Sequence, residues 1–282
     1  MFQNASADTD IRQRYVKVAL VGNPNSGKSS LFNSLTGLHQ KIANFPGVTV
    51  EKKIGHCRIY NSANGSATSF EVIDLPGTYS LYPKSPDERI PFEVLCDPEN
   101  ESHPDMVVLL VDGTNLKRSL FLASQVIDLK IPCIIALNMM DLVKKEGIDI
   151  QLDELERRLG VRILPINARN EIGIEELKQA LIHPIPVPEK DIFYTGDLSP
   201  KMLMSLRQAL KLNSNYAALQ IAHHIDAIED FNLLGYQKVN AREIVQVSGD
   251  DFENLKSYET LERYKVIQDI LAHSVQQGEK EK

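Results

Sequence analysis

The sequence predicts an α/β fold, a mostly parallel sheet flanked by helices, followed by a small all-α domain. Three observations carry this reading. From Tyr15 to about His183, short runs rich in Val and Ile alternate with amphipathic stretches, which is the rhythm of βα units. At His183-Pro-Ile-Pro-Val-Pro188 the chain cannot continue a helix and reads as a stiff extended linker. Beyond Leu198-Ser-Pro200 the apolar period is helical throughout, without convincing strands.

In chain order, residues 1–14 are polar and predict a disordered arm. Residues 15–183 form the α/β domain. Its expected strands are Val16–Val21, Val50–Tyr60, Ser69–Ile73, Met106–Asp112, Pro132–Asn138 and Arg162–Pro165, each a short β-branched run. The second alternates in polarity and precedes the turn Asn61–Ser66, so it reads as half of an antiparallel hairpin with the third. Helices are expected at Lys28–Thr36, Leu116–Leu129, Leu152–Leu159 and Ile174–Ile182. Residues 184–199 are the linker, and 200–275 a helical bundle or hairpin in need of a partner surface. Its apolar series are Met202, Leu206, Ala209 and Leu210; Ala218, Leu219, Ala222 and Ile225; and Leu261, Tyr264, Ile267, Ile270 and Leu271. The charged tail 276–282 is expected to fray.

Composition excludes several classes. With 282 residues, 43% of them hydrophobic, the chain can build one large domain or two modest ones. A net charge of −7 leaves no basic surplus for nucleic acid, so none is expected as a partner. Cys57, Cys96 and Cys133 are odd in number and widely spaced, which is neither a disulfide framework nor a zinc pattern and fits a reducing compartment. The longest apolar runs, Met106–Val111 and Ile131–Leu137, fall far short of the roughly 20 residues that cross a bilayer, and the start lacks a signal-peptide core. The chain as given reads as soluble and cytosolic.

The strongest local feature is Gly22-Asn-Pro-Asn-Ser-Gly27-Lys28-Ser29, which fits G-x-x-x-x-G-K-[ST] between an apolar strand and a helical pattern. Gly22 and Gly27 let backbone N–H groups, those of Ser26 and Ser30 included, face phosphate oxygens at a helix N-terminus. Lys28 neutralises the β- and γ-phosphates, and the Ser29 hydroxyl is a magnesium ligand. Asp74-Leu-Pro-Gly77 ends another apolar strand, where Asp74 can hold magnesium through water and the Gly77 N–H can meet the γ-phosphate. Asn138-Met-Met-Asp141 ends a third. A carboxylate there accepts two hydrogen bonds from the N1–H and amine of guanine, whereas adenine would leave it desolvated and unpaired. Asn138 would brace base and loop, and Asn167-Ala168-Arg169 could present the Ala168 N–H to the guanine oxygen.

Together these segments resemble the translation-factor-related P-loop GTPases, and within them the cytosolic N-terminal part of the FeoB-type ferrous iron transporter family. The resemblance rests on residues 22–33, on Asn44-Phe-Pro-Gly-Val-Thr-Val-Glu51, and on Asp74-Leu-Pro-Gly-Thr-Tyr-Ser-Leu81 with Asp87-Glu88. It covers 15–183 closely and 200–275 loosely, the latter as a domain that relays switch state and favours GDP retention. It implies slow hydrolysis of GTP to GDP and phosphate, with Asn25, Lys28, Thr49 and Gly77 carrying the chemistry. It also implies a GTP-dependent Thr49 on magnesium, switches at 38–50 and 77–97, and potassium as activator. The potassium ligands it implies are Asn25 and the carbonyls of Ala43 and Phe45. Here Ala43 replaces a usual glycine, Phe45 a frequent tryptophan, Met139 the lysine of the common guanine box and Asn167 the usual serine. Thr78 stands where Ras-like enzymes place a water-orienting glutamine. The implied partners are GTP and GDP, a membrane domain absent from this chain, small Feo accessory proteins and a second copy, on the cytoplasmic side of the inner membrane.

Two other functions fit the motifs: a nonhydrolysing GTP-sensing switch, which Thr78 favours, and a free-standing ribosome- or tRNA-associated GTPase, which the acidic charge disfavours. His223 and His224 lie on one helical stretch and, as neighbours, point to different faces, so paired ligation is not expected. Cys133 is expected in the core, and His39 and His103 in solvated loops. No iron site is legible.

Overall fold

The computed structural model describes residues 15–37, 40–45, 50–225 and 238–277. Its main sheet is built from β1 (Val16–Gly22), β2 (Gln40–Asn44), β3 (Glu51–Tyr60), β4 (Ala67–Asp74), β5 (Met106–Asp112), β6 (Cys133–Asn138) and β8 (Ile163–Pro165), in the order β2-β3-β4-β1-β5-β6-β8. From β4 to β8 every pairing is parallel. The hairpin is as the sequence predicts: β3 runs antiparallel to β4, and Asn61 N–H closes the turn on the Ser66 carbonyl at 2.7 Å. β1 lies between β4 and β5, so the connections leave it in opposite directions. A crevice therefore opens beyond its carboxyl end, where the glycine-rich motif emerges.

Strand residues alternate between two faces. Val18, Leu20, Val108, Leu110, Ile134 and Ala136 pack toward α1 (Lys28–Thr36) and α6 (Ile174–Leu181). Ala19, Val21, Val107, Leu109, Ile135 and Leu137 pack toward α3 (Leu116–Asp128) and α5 (Leu152–Leu159) on the other face. That second core continues without a break into the C-terminal helices α7 (Pro200–Leu210), α8 (Asn215–His223), α9 (Lys238–Ser248) and α10 (Phe252–Ser274). The partner surface the helical region needs is thus the α/β domain itself. Phe121 of α3 stacks on Tyr264 of α10 with ring centroids 4.7 Å apart. Fully buried charges bridge the same seam: Asp128 accepts Arg263 Nη1 at 2.7 Å and the backbone N–H groups of Ile192 and Phe193 at 2.7 and 3.1 Å. The linker is therefore pinned between the two domains.

Several expectations change. The edge strand β2 occupies part of the first switch, and residues 38–39 and 46–49, Thr49 and His39 among them, lie outside the described residues. The second switch contains α2 (Pro86–Cys96), although its sequence shows little periodicity. Ser85 caps it by accepting the Glu88 N–H, Glu88 accepts the Lys84 N–H in return, and Pro86 starts the first turn. A short α4 (Met140–Lys145) follows β6. Strands do occur late in the chain: β9 (Val275–Gln277) pairs antiparallel with β7 (Ile148–Ile150), which orders the start of the tail expected to fray. His103 is no solvated loop residue. It is half-buried with Nδ1 3.0 Å from the Val94 carbonyl, and burial lowers its pKa. Cys133 is in the core, its thiol pushed up to about 12 by burial. Among the described residues, no helix is long and apolar enough to cross a membrane.

Candidate nucleotide site

The phosphate loop leaves β1 at Gly22 and enters α1 at Lys28. Two of its residues take left-handed backbone, Asn25 at φ 63° and Gly27 at φ 98°. Asparagine tolerates that region better than most side chains, so the turn alone gives Asn25 one reason to be there. At Gly27 a Cβ would also lie 2.3 Å from Asn138 Nδ2. Asn138, at the end of β6, donates from Nδ2 to the Ser26 carbonyl at 2.8 Å and accepts the Ala168 N–H on Oδ1 at 3.0 Å. This one side chain ties the phosphate loop to the loop after β8. The Ala168 N–H, expected on the guanine oxygen, is engaged by Asn138 here, so a base must share that donor.

Charge and burial converge where phosphates would lie. Lys28 is 9% exposed, and its Nζ donates to the carbonyls of Gly22 and Asn23 at 3.1 and 3.2 Å. Burial lowers its pKa, opposed by the Asp74 charge. Asp74 mirrors this: burial raises its pKa against the opposing charges of Lys28 and Lys53. Its Oδ1 is buried with no partner, as are Ser26 Oγ and Asn23 Oδ1. Orphaned polar atoms and a buried ammonium whose hydrogen bonds go only to neutral carbonyls are costly by themselves. A polyphosphate carrying a divalent cation satisfies both signs, so the residues present fit that pair. Ser29 and Ser30 are exposed in the first turn of α1, directly after Lys28.

Gly77 closes the other side. A Cβ there would be 2.9 Å from Pro24 Cα and 3.1 Å from Lys28 Nζ, so only glycine lets this segment lie against the loop. Thr78 is buried, and its hydroxyl donates to the Ser80 carbonyl at 2.7 Å. That hydroxyl is therefore committed to the loop's own backbone and unavailable to orient water.

On the base side, Met139 takes φ 63° as the residue before α4, and the exposed Asp141 follows in the helix's first turn. Among the described residues, the Asp141 carboxylate takes no hydrogen bond or ion pair. Asn167 is buried and caps its loop by accepting the Asn170 N–H at 3.1 Å; Arg169 is exposed. Ala43 lies in β2, and the Phe45 N–H bonds to the Val50 carbonyl at 3.0 Å across the undescribed 46–49. His223 and His224, though neighbours in sequence, both approach the Tyr82 ring, with centroids 5.3 and 5.8 Å away. The motifs gave no sign of Tyr82 or of its bond to Glu259, 177 residues distant.

A glycine-rich loop at the central strand, an Asp-x-x-Gly turn after the strand beside it and an Asn-x-x-Asp turn two strands away on the other side define a P-loop GTPase fold, the G domain. The chain belongs to the family described as FeoB_N, ferrous iron transport protein B, whose model matches residues 16–181. Among curated relatives, it is 38% identical over 225 residues to the Fe(2+) transporter FeoB of Leptospira biflexa, covering 77% of this chain and 31% of that one. To the Escherichia coli K12 transporter it is 42% identical over 164 residues, 58% of this chain and 20% of that one. The chain thus spans a third or less of these relatives' length. The solved cytosolic domain of L. pneumophila FeoB superposes with a TM-score of 0.73 at 32% identity, covering 93% of this chain and all of that one. The T. maritima FeoB cytosolic domain in its GMPPNP form gives 0.67 at 27%, covering 93% of this chain and 99% of that one.

Proposed function

We propose that this chain hydrolyses GTP to GDP and phosphate and acts as the cytosolic regulatory and energising module of a membrane ferrous iron transporter. The observation that carries the enzymatic part is the buried Lys28 with the Asp74 charge and Gly77 close to it, together with the partnerless oxygens of Asp74, Ser26 and Asn23, which a metal-bound triphosphate would satisfy. The transport part rests on the family. Loop N–H groups and Lys28 hold the phosphates, and the Gly77 N–H meets the γ-phosphate. Asp141 selects guanine, with Asn138, Met139, Asn167, Ala168 and Arg169 framing the base. Ser29, Thr49 and Asp74 would hold magnesium, which neutralises charge on the β- and γ-phosphate oxygens when bound. Water attacks the γ-phosphorus as its bond to the β-phosphate oxygen breaks, releasing GDP and phosphate.

With Thr78 committed elsewhere, no side chain described here orients that water, and the unaided rate is slow. The compensating charge in this proposal is potassium, held by Asn25 and the carbonyls of Ala43 and Phe45. The same Thr78 geometry favours one competing reading, a switch that binds GTP without cleaving it. The two differ in single-turnover hydrolysis in potassium against sodium at matched ionic strength. The expected result is a potassium gain of about tenfold or more that is lost in Asn25→Gly. Glycine keeps the left-handed turn and removes only the amide, so the loss reports the ligand rather than the fold. Equal rates in both salts would overturn potassium activation. The proposed partners are GTP, GDP and the transporter's membrane domain, with a second copy and small Feo accessory proteins as further ones.

A further inference from the structure

The segment between Gly77 and Lys84 carries the amide assigned to the γ-phosphate, yet it forms no helix or strand. What fixes it lies largely outside the nucleotide site. The Thr78 N–H reaches the Gly22 carbonyl only at 3.4 Å. The Leu81 N–H donates to Gln125 Oε1 of α3 at 2.8 Å. One residue later, the Tyr82 hydroxyl donates to the Glu259 carboxylate of α10, in the helical domain. That carboxylate is fully buried and held by two further donors, Tyr216 Oη at 2.9 Å and Arg263 Nε at 2.8 Å. Arg263 is itself clamped by Asp128, on the same α3 helix as Gln125. Glu259 is therefore an immobile acceptor, and the Tyr82 ring is walled in by His223, His224 and the Lys256 ammonium 5.0 Å away.

We infer that Glu259 is a positioning residue for GTP hydrolysis, acting through Tyr82 to hold the Gly77 loop at the γ-phosphate. The inference rests on the hydrolytic function proposed above. Hydrolysis depends on placing donors to within about 0.5 Å, and a loop lacking regular structure keeps such placement only if both its ends are fixed. Gly22 and Pro24 fix the beginning. Without the Tyr82 bond, the far end keeps the Leu81 amide bond, the Arg118 guanidinium 3.7 Å from the Tyr79 ring centroid, and the packing of the Leu81 and Tyr82 side chains.

Tyr216 supplies an internal control. It donates to the same carboxylate, from α8, and among the described residues makes no hydrogen bond to the loop. Tyr82→Phe and Tyr216→Phe each remove one hydroxyl from Glu259, so a purely structural network predicts similar effects from both. The positioning role predicts a split: Tyr82→Phe slows single-turnover GTP hydrolysis about tenfold while GTP and GDP affinities change less than about threefold, and Tyr216→Phe lowers Tm but keeps the rate within about twofold. Hydrogen exchange at amides 77–81 with GMPPNP bound gives a readout free of turnover, and it should quicken in Tyr82→Phe alone. Equal effects of the two variants on rate and exchange, or none from Tyr82→Phe on either, would overturn the inference. If the unsubstituted chain cleaves no GTP, the proposed function fails, and the exchange data still decide whether Tyr82 holds the loop.

Discussion

Lys28→Met is expected to abolish nucleotide binding without destabilising the free chain. In the proposed bound state the ammonium would make charge-assisted hydrogen bonds to phosphate, and its loss should weaken GTP binding about a thousandfold, or about 4 kcal/mol. In the free chain the same ammonium is a liability, buried, hydrogen-bonded only to two neutral carbonyls, and with the Asp74 charge offsetting its burial only in part. Those carbonyls keep partners after the change, since Gly22 also accepts the Thr78 N–H and Asn23 the Ser26 N–H. Asp74 loses its main counter-charge, and its pKa, already raised by burial, moves further up, so the carboxyl sheds its charge in place. Thermal unfolding with and without GTP and magnesium checks both halves. The free variant should melt within a few degrees of the parent or above it, while the nucleotide-induced rise disappears. A drop of several kcal/mol in the free variant would show that Lys28 is structural first.

Asp141→Asn should change which base is preferred. The exposed carboxylate offers two acceptors to the N1–H and amine of guanine, whereas asparagine keeps one acceptor and adds donors. Binding of GTP is expected to fall about a hundredfold, or about 2.7 kcal/mol, because one base donor then faces another donor. Xanthine carries a carbonyl where guanine carries the amine, so XTP should gain what GTP loses, and ATP should gain nothing. Competition of GTP, XTP and ATP against a fluorescent guanine nucleotide checks this. Unchanged preference between GTP and ATP would remove Asp141 from base recognition.

The parts of this molecule written in short range were legible in the sequence. β1, the loop and α1 follow from an apolar run, two glycines and a periodic helix, and the structure adds why Gly27 admits no side chain: Asn138 already fills that space. The antiparallel excursion of β3 was visible as alternation before a turn. Missed elements had physical reasons. α2 contains Pro86 and Pro91, which read as breaks, yet Pro86 is at a position where its missing N–H costs nothing. The capping pair Ser85 and Glu88 was the signal that could have revealed it. β2, β7 and β9 are three to five residues long and gain their order from neighbours rather than from their own composition. The Glu259–Arg263 pair looks from sequence like any exposed i, i+4 ion pair. Only the fold shows it buried under Tyr82 and against Asp128, because its partners come from distant parts of the chain.

The function proposed for the cleft at the carboxyl end of β1 is cleavage of GTP and not of ATP. The most direct measurement is phosphate release by the unsubstituted chain under single-turnover conditions, in potassium with magnesium, from GTP and from ATP side by side. Slow but complete release is expected from GTP, none above background from ATP, and none from either once magnesium is chelated. Equal release from the two nucleotides, or tight GTP binding with no phosphate released, would contradict it.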